Sequence, residues 1–132
     1  MKNVEAIIFD MDGVIVDSEN LWKQAEFKVF SALGVKVTPE KALLTATMTT
    51  TQVASFWQKL HPWTDISNTE VCEKVIERVK ALVESTNCGI PNIDTFLQYL
   101  KSKNFLLALA TNSPLSIVPV VLQKMVIHHT SM

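Results

Sequence analysis

The chain has 132 residues, 12 basic and 13 acidic side chains, a formal net charge of −1, and 48% hydrophobic against 19% charged residues. That length holds one modest domain or a small domain with an insertion, and the apolar fraction supports a core and excludes global disorder. The near-neutral balance offers no basic field for nucleic acid and no cationic face for anionic membranes.

The N-terminus shows no apolar export segment, because Glu5 and Asp10 interrupt its short aliphatic run. The longest unbroken apolar stretch, residues 105–110 (FLLALA), is far too short to span a bilayer. These features predict a soluble cytoplasmic protein in which Cys72 and Cys88 are reduced thiols.

Residues 4–9 form an aliphatic run broken only by Glu5, which predicts a strand buried on both faces of a parallel sheet. It ends abruptly in Asp10-Met11-Asp12-Gly13. Such a switch marks the carboxyl end of a strand, where ligand sites of open α/β sheets lie. From Asp17 the period becomes helical. Asp17 or Ser18 caps a helix whose apolar face is Trp22, Ala25, Val29, Phe30 and Leu33, and Gly34 ends it.

Thr38-Pro39 opens a second helix to about Ala46. A third runs over about 51–60, with Val53, Phe56, Trp57 and Leu60 on one face and Pro62 stopping it. Ser67-x-x-Glu70 is a capping box for a fourth, through Val71, Val75, Val79 and Leu82. A loop at 87–91 leads to a helix with Phe96, Leu97 and Leu100 inward. Residues 105–110 follow as a second buried strand, then Thr111-Asn112-Ser113, and Pro114 starts a last helix. The order predicts parallel neighbouring strands joined by a right-handed crossover that carries a helical insertion.

The stretch FDMDGVIVDSE, residues 9–19, carries the chemistry. Two carboxylates at i and i+2 past a strand can enter one cleft, one as nucleophile and the other as general acid and base. Facing a phosphate they need a counter-cation, and hard oxygen ligands suit Mg²⁺. A bare Asp-x-Asp-Gly is also an ordinary turn. What raises it here is the preceding strand and the second polar strand end.

The string Asp10-Met11-Asp12-Gly13-Val14, extended by Asp17-Ser18-Glu19, resembles the first motif of the haloacid-dehalogenase superfamily of aspartate-nucleophile phosphohydrolases. The extension and the helical insertion resemble its β-phosphoglucomutase-like branch. DSENLWKQAE, SALGV, the HPW at residues 61–63 and ATNSPLSIV at 110–118 are most similar to the hexitol and 2-deoxyglucose-6-phosphate phosphatases. The resemblance reaches nearly the whole chain, to about His129. It implies an α/β fold: a Rossmann-like core with only the first two parallel strands present, from residues 1–14 and 86–132, and a four-helix cap over 15–85.

The resemblance also implies a Mg²⁺-dependent phosphatase acting on a small phosphorylated sugar or sugar alcohol through an aspartyl-phosphate. Asp10 would be the nucleophile. Asp12 would protonate the leaving alkoxide and then activate water. The Asp10 carboxylate and the Asp12 backbone carbonyl would hold Mg²⁺. The Thr111 hydroxyl, with Ser113 as the competing choice, would bind a phosphate oxygen, and the amides of Met11 and Asn112 would add donors.

His61, His128 and His129 have no metal-ligand spacing with a Cys pair and read as surface or helix-end residues. Trp22, Trp57 and Trp63 read first as core. Residues 48–51 lie where the cap of this family reaches toward substrate.

The family's third-motif Lys and fourth-motif acids have no counterpart among the 132 residues. Lys124 comes too early, no acid follows Asp94, and Val126 stands where a helix-ending Gly is usual. A premature stop, a frameshift or an incomplete gene model would each give this pattern. Two strands alone are rarely stable, so a full-length form is expected to be a monomer and this chain to be open to self-association. Three readings stand: the phosphatase, a phosphosugar mutase of the β-phosphoglucomutase type, and a truncated remnant without catalysis.

Overall fold

The computed structural model describes residues 5–124; Val4, Val126, His128 and His129 lie outside the described residues. The two aliphatic runs become strands β1 (Ala6–Asp10) and β2 (Leu106–Ala110). They pair in parallel, from Ala6 opposite Leu106 to Asp10 opposite Ala110. Between them come α1 (Glu19–Ala32), α2 (Pro39–Thr45), α3 (Thr50–Leu60), α4 (Asn68–Ser85) and α5 (Ile93–Ser102). After β2 follow a 3₁₀ turn (Leu115–Ile117) and α6 (Val118–Lys124). This is the α/β order read from the sequence, with helices inserted after the first strand. The chain divides into two compact units, one of Met1–Glu19 with Leu82–Met132 and the other of Asn20–Ala81, so one boundary falls inside α4.

In the strand-bearing unit, burial alternates along both strands. Phe9 is buried and meets Phe96 of α5 edge-on, with ring centroids 6.3 Å apart. The opposite face is open: Ile8 is 70% and Leu106 66% exposed. This corrects the expectation of strands buried on both faces. An aliphatic run reports that a strand can be covered, and among the described residues cover reaches one side only. Met11, Ile15, Val16, Val83, Cys88, Leu97, Leu100, Ile117 and Val121 are buried in the same unit. Phe96 itself, expected inward, stays 49% exposed despite its ring contact. The Lys124 ammonium donates to the Glu84 carbonyl at 3.0 Å, satisfying an orphan acceptor in the last turn of α4.

The all-helical unit is held by Phe30, Trp57 and Trp63, with Phe30 6.4 Å from the Trp57 ring and 6.0 Å from that of Trp63. Leu21, Ala25, Val35, Val53, Ala54, Val71, Val75 and Val79 are buried with them. Its helix ends follow the local sequence. Gly34 (φ +89°) closes α1, with Val35 N–H on the Phe30 carbonyl and Gly34 N–H on that of Ser31, a Schellman arrangement. Thr38 caps α2 ahead of Pro39. Thr49 and Gln52 form a reciprocal capping box on α3. The Glu70 amide donates to Ser67 Oγ at 3.1 Å, as the Ser67-x-x-Glu70 pattern requires.

The faces shift in detail. On α1, Leu21 is buried where Trp22 was expected. On α3, Ala54 is buried while Leu60 is 53% exposed. Both stripes are rotated by about one residue, which periodicity alone resolves poorly. The last helix also starts later than Pro114, which precedes the 3₁₀ turn instead.

Candidate active site

Asp10 is the last residue of β1, exposed, and paired in register with Ala110 at the end of β2. The Met11 amide extends this pairing by donating to the Ala110 carbonyl at 3.1 Å, and its side chain is buried. The chain then turns sharply. Ile15 and Val16 N–H both donate to the Met11 carbonyl, and Gly13 N–H donates to Val16 at 2.8 Å. Gly13 takes φ +82°, while a Cβ there would meet nothing within 4 Å. Backbone angle, not crowding, is what selects glycine.

This turn presents the half-buried Asp12 to the end of β2. Its Oδ1 accepts from Ser18 Oγ at 2.7 Å. Its Oδ2 accepts from Thr111 Oγ at 2.8 Å and from Ser113 Oγ at 2.9 Å. The Thr111 hydroxyl oxygen in turn accepts the Ser113 amide at 3.0 Å, which directs the Thr111 proton toward Asp12. Ser18 is buried. The segment carrying it is tied down by Asp17 N–H on the Cys88 carbonyl at 2.7 Å and Ile90 N–H on that of Ile15 at 3.1 Å. A carboxylate has about four lone-pair sites. Three here accept hydroxyl protons, and the fourth, on Oδ1, has no hydrogen-bond donor among the described residues.

The structure thus brings Asp10, Met11, Asp12 and Thr111 together at the carboxyl ends of two adjacent strands, with the exposed Asn112 in the same turn. The sequence pattern offers Asp17 or Ser18 as a helix cap and Ser113 as a rival to Thr111, whereas in the structure Ser18 and Ser113 both hold Asp12. The available signal was hydroxyls at alternate positions, 111 and 113, directly after a strand.

Outside this cluster, Trp57 and Trp63 are core residues and His61 is exposed. Met48 and Thr51 line an open groove of about 570 Å³ in the helical unit, together with Phe56 and Lys59. Cys72 and Cys88 are free thiols, and burial pushes that of Cys72 up. Among the described residues no group of three or more His, Cys, Asp and Glu side chains could hold a metal ion, and no helix is long and apolar enough to cross a membrane.

Residues 7–131 match the family model of the haloacid dehalogenase-like hydrolases, and the chain belongs to that family. It is 37% identical over 122 residues to hexitol phosphatase B of Escherichia coli (strain K12), covering 92% of this chain and 55% of that protein. It is 28% identical over 121 residues to a phosphorylated carbohydrates phosphatase of Thermotoga maritima, covering 84% of this chain and 51% of the other. The fold superposes on a candidate β-phosphoglucomutase from Thermotoga maritima with a TM-score of 0.79 and 26% identity, over 96% of this chain and 58% of that one. The chain spans about half the length of the curated relatives it matches.

Proposed function

We propose that this chain carries the nucleophile and the general acid of a Mg²⁺-dependent phosphatase acting on small phosphorylated sugars or sugar alcohols, with residues 15–85 as its cap. The carrying observation is the exposed Asp10 carboxylate at the end of β1, beside an Asp12 whose carboxylate is oriented by hydroxyls from both strand ends. The similarity to hexitol phosphatase B and to the phosphorylated carbohydrates phosphatase supports the substrate class.

In this reading an Asp10 oxygen attacks phosphorus, the bond from phosphorus to the sugar oxygen breaks, and the departing oxygen takes a proton from Asp12. Water then attacks the aspartyl-phosphate and gives a proton back to Asp12, which releases phosphate and restores Asp10. Thr111 turns its hydroxyl to a phosphate oxygen, and the Asn112 amide adds a donor. Met11 N–H, engaged with Ala110, would have to leave that carbonyl to contribute.

Of the oxygen donors Mg²⁺ would need, this chain offers two: the Asp10 carboxylate is a hard ligand, and Asp12, its side chain taken by hydroxyls, would offer its backbone carbonyl. Bound there, Mg²⁺ would offset charge on the phosphate. The test is acid-quench trapping of phosphoenzyme from a sugar phosphate with Mg²⁺, in the parent chain and in Asp10→Asn. Label on the parent and none on the variant is expected; equal turnover by both overturns the assignment.

A second reading, a phosphosugar mutase, is favoured by the likeness to the candidate β-phosphoglucomutase. It differs in the acceptor: a second sugar hydroxyl, rather than water, takes the phosphoryl group. Isomerised sugar phosphate without free phosphate would select it.

A further inference from the structure

We propose that Ser113 is a positioning residue for Asp12, keeping Oδ2 occupied so that the proton passes through Oδ1. The phosphatase reading enters only in naming what Asp12 is positioned for. Three hydroxyls hold the carboxylate: Ser18 on Oδ1 at 2.7 Å, and Thr111 and Ser113 on Oδ2 at 2.8 and 2.9 Å. The single remaining lone-pair site lies on Oδ1.

Of the two hydroxyls on Oδ2, that of Thr111 is the one a bound phosphate would draw away. Its oxygen already accepts the Ser113 amide, so it has one proton to give and can direct it to only one partner at a time. When that proton turns to phosphate, Ser113 alone retains Oδ2. Ser18, buried on a segment anchored by Asp17 and Ile90 N–H, retains Oδ1 from the other side. The carboxyl plane then stays fixed between a hydroxyl before α1 and one after β2, and Oδ1 faces the departing oxygen. Removing the Ser113 hydroxyl frees the group to rotate at the moment of proton transfer.

The test uses the whole chain as Ser113→Ala and Ser113→Thr, with two readouts. With Mg²⁺ present, the rate of phosphoenzyme formation is compared by rapid quench on an alkyl phosphate such as glucitol 6-phosphate, whose leaving oxygen needs a proton, and on p-nitrophenyl phosphate, whose leaving group does not; the later water step, which also uses Asp12, is common to both. Ser113→Ala is expected to lower that rate on the alkyl ester by about tenfold or more, a part of the usual general-acid contribution. The rate on the aryl ester should change by less than about threefold, and Ser113→Thr should restore the alkyl rate. Equal loss on both esters, or no rescue, overturns the proposal.

The second readout is independent of catalysis. In chain labelled with ¹³C at the aspartate carboxyls, Ser113→Ala should displace the Asp12 signal, leave Asp10 and Asp17 in place, and be reversed by Ser113→Thr. An unmoved Asp12 signal overturns the positioning role. A moved signal in a chain whose turnover is unchanged by Asp10→Asn supports the clamp while refuting the phosphatase reading.

Discussion

Gln58 holds both backbone polar groups of Trp63 with one side-chain amide: its Oε1 accepts the Trp63 N–H at 2.8 Å, and its Nε2 donates to the Trp63 carbonyl at 3.0 Å. The turn after α3 is thereby closed by a side chain where the backbone has no partner of its own, and Trp63 is seated 6.0 Å from the Phe30 ring. Gln58→Ala leaves a donor and an acceptor near the core without partners. A loss of about 1–3 kcal/mol is expected, read by urea unfolding followed by tryptophan fluorescence. Gln58→Glu, which keeps the acceptor and loses the donor, should fall between.

Asp12→Asn tests the general acid. An amide matches the shape of the carboxyl but passes no proton, so turnover of alkyl phosphates should fall by roughly 10²–10⁴-fold. The variant should still form phosphoenzyme from an aryl phosphate in a rapid-quench assay. Complete loss of that labelling would place the defect at nucleophilic attack instead.

Residues 1–132 by themselves are expected to turn over slowly. The Lys124 ammonium is held by the Glu84 carbonyl at 3.0 Å, so it is not free to neutralise a phosphate at the Asp12 cluster. Losing one well-placed donor costs about 3–4 kcal/mol of transition-state stabilisation. Steady-state phosphate release below about 1 s⁻¹, the low end of ordinary kcat values, is the expected result.

Glu26 on α1 has its carboxyl pushed up from 4.5 to about 7 by desolvation. A raised carboxyl favours the protonated folded form. Its stabilising effect is full below pH 4.5 and is lost as pH rises through about 7, where ionisation becomes cheaper in the unfolded chain. Glu26→Gln should therefore raise stability at pH 8 by up to about 3 kcal/mol and change little at pH 4. Denaturation midpoints of both proteins at the two pH values decide it.

The open sheet face should drive self-association. Ile8 and Leu106 are 70% and 66% exposed on strands whose outer edges have no partner among the described residues, and such surfaces recruit other chains. Ile8→Lys with Leu106→Lys should shift sedimentation toward monomer, with little loss of helicity by circular dichroism.

The strands, the helix order and the paired aspartates were legible in the sequence because each has a local signature. Residues 4–9 change from aliphatic to acidic within one step, and Thr38-Pro39 and Ser67-x-x-Glu70 announce helix starts. What was not legible depended on distance or on degree. Ser113 reaches Asp12 only because β1 and β2 pair in one particular register. Whether Leu21 or Trp22 turns inward depends on a rotation of about one residue. How many sides of β1 are covered is a property of its neighbours, not of Ile7 and Ile8.

The bond from Ser113 to Asp12 joins positions 101 residues apart, and this sets the order in which the molecule acquires its parts. Closing so long a loop carries an entropy penalty that grows with its logarithm, and contacts of that span form slowly compared with those inside helices. The caps at Thr38, Thr49 and Ser67 need only three or four residues each and can form at once. In the Asp12 cluster only the Ser18 bond, six residues apart, is local, and the Thr111 and Ser113 bonds wait for the two strands to pair. A chain caught partway through folding would thus be helical yet without its reactive centre, and refolding followed by helicity should run ahead of refolding followed by the Asp12 carboxyl signal.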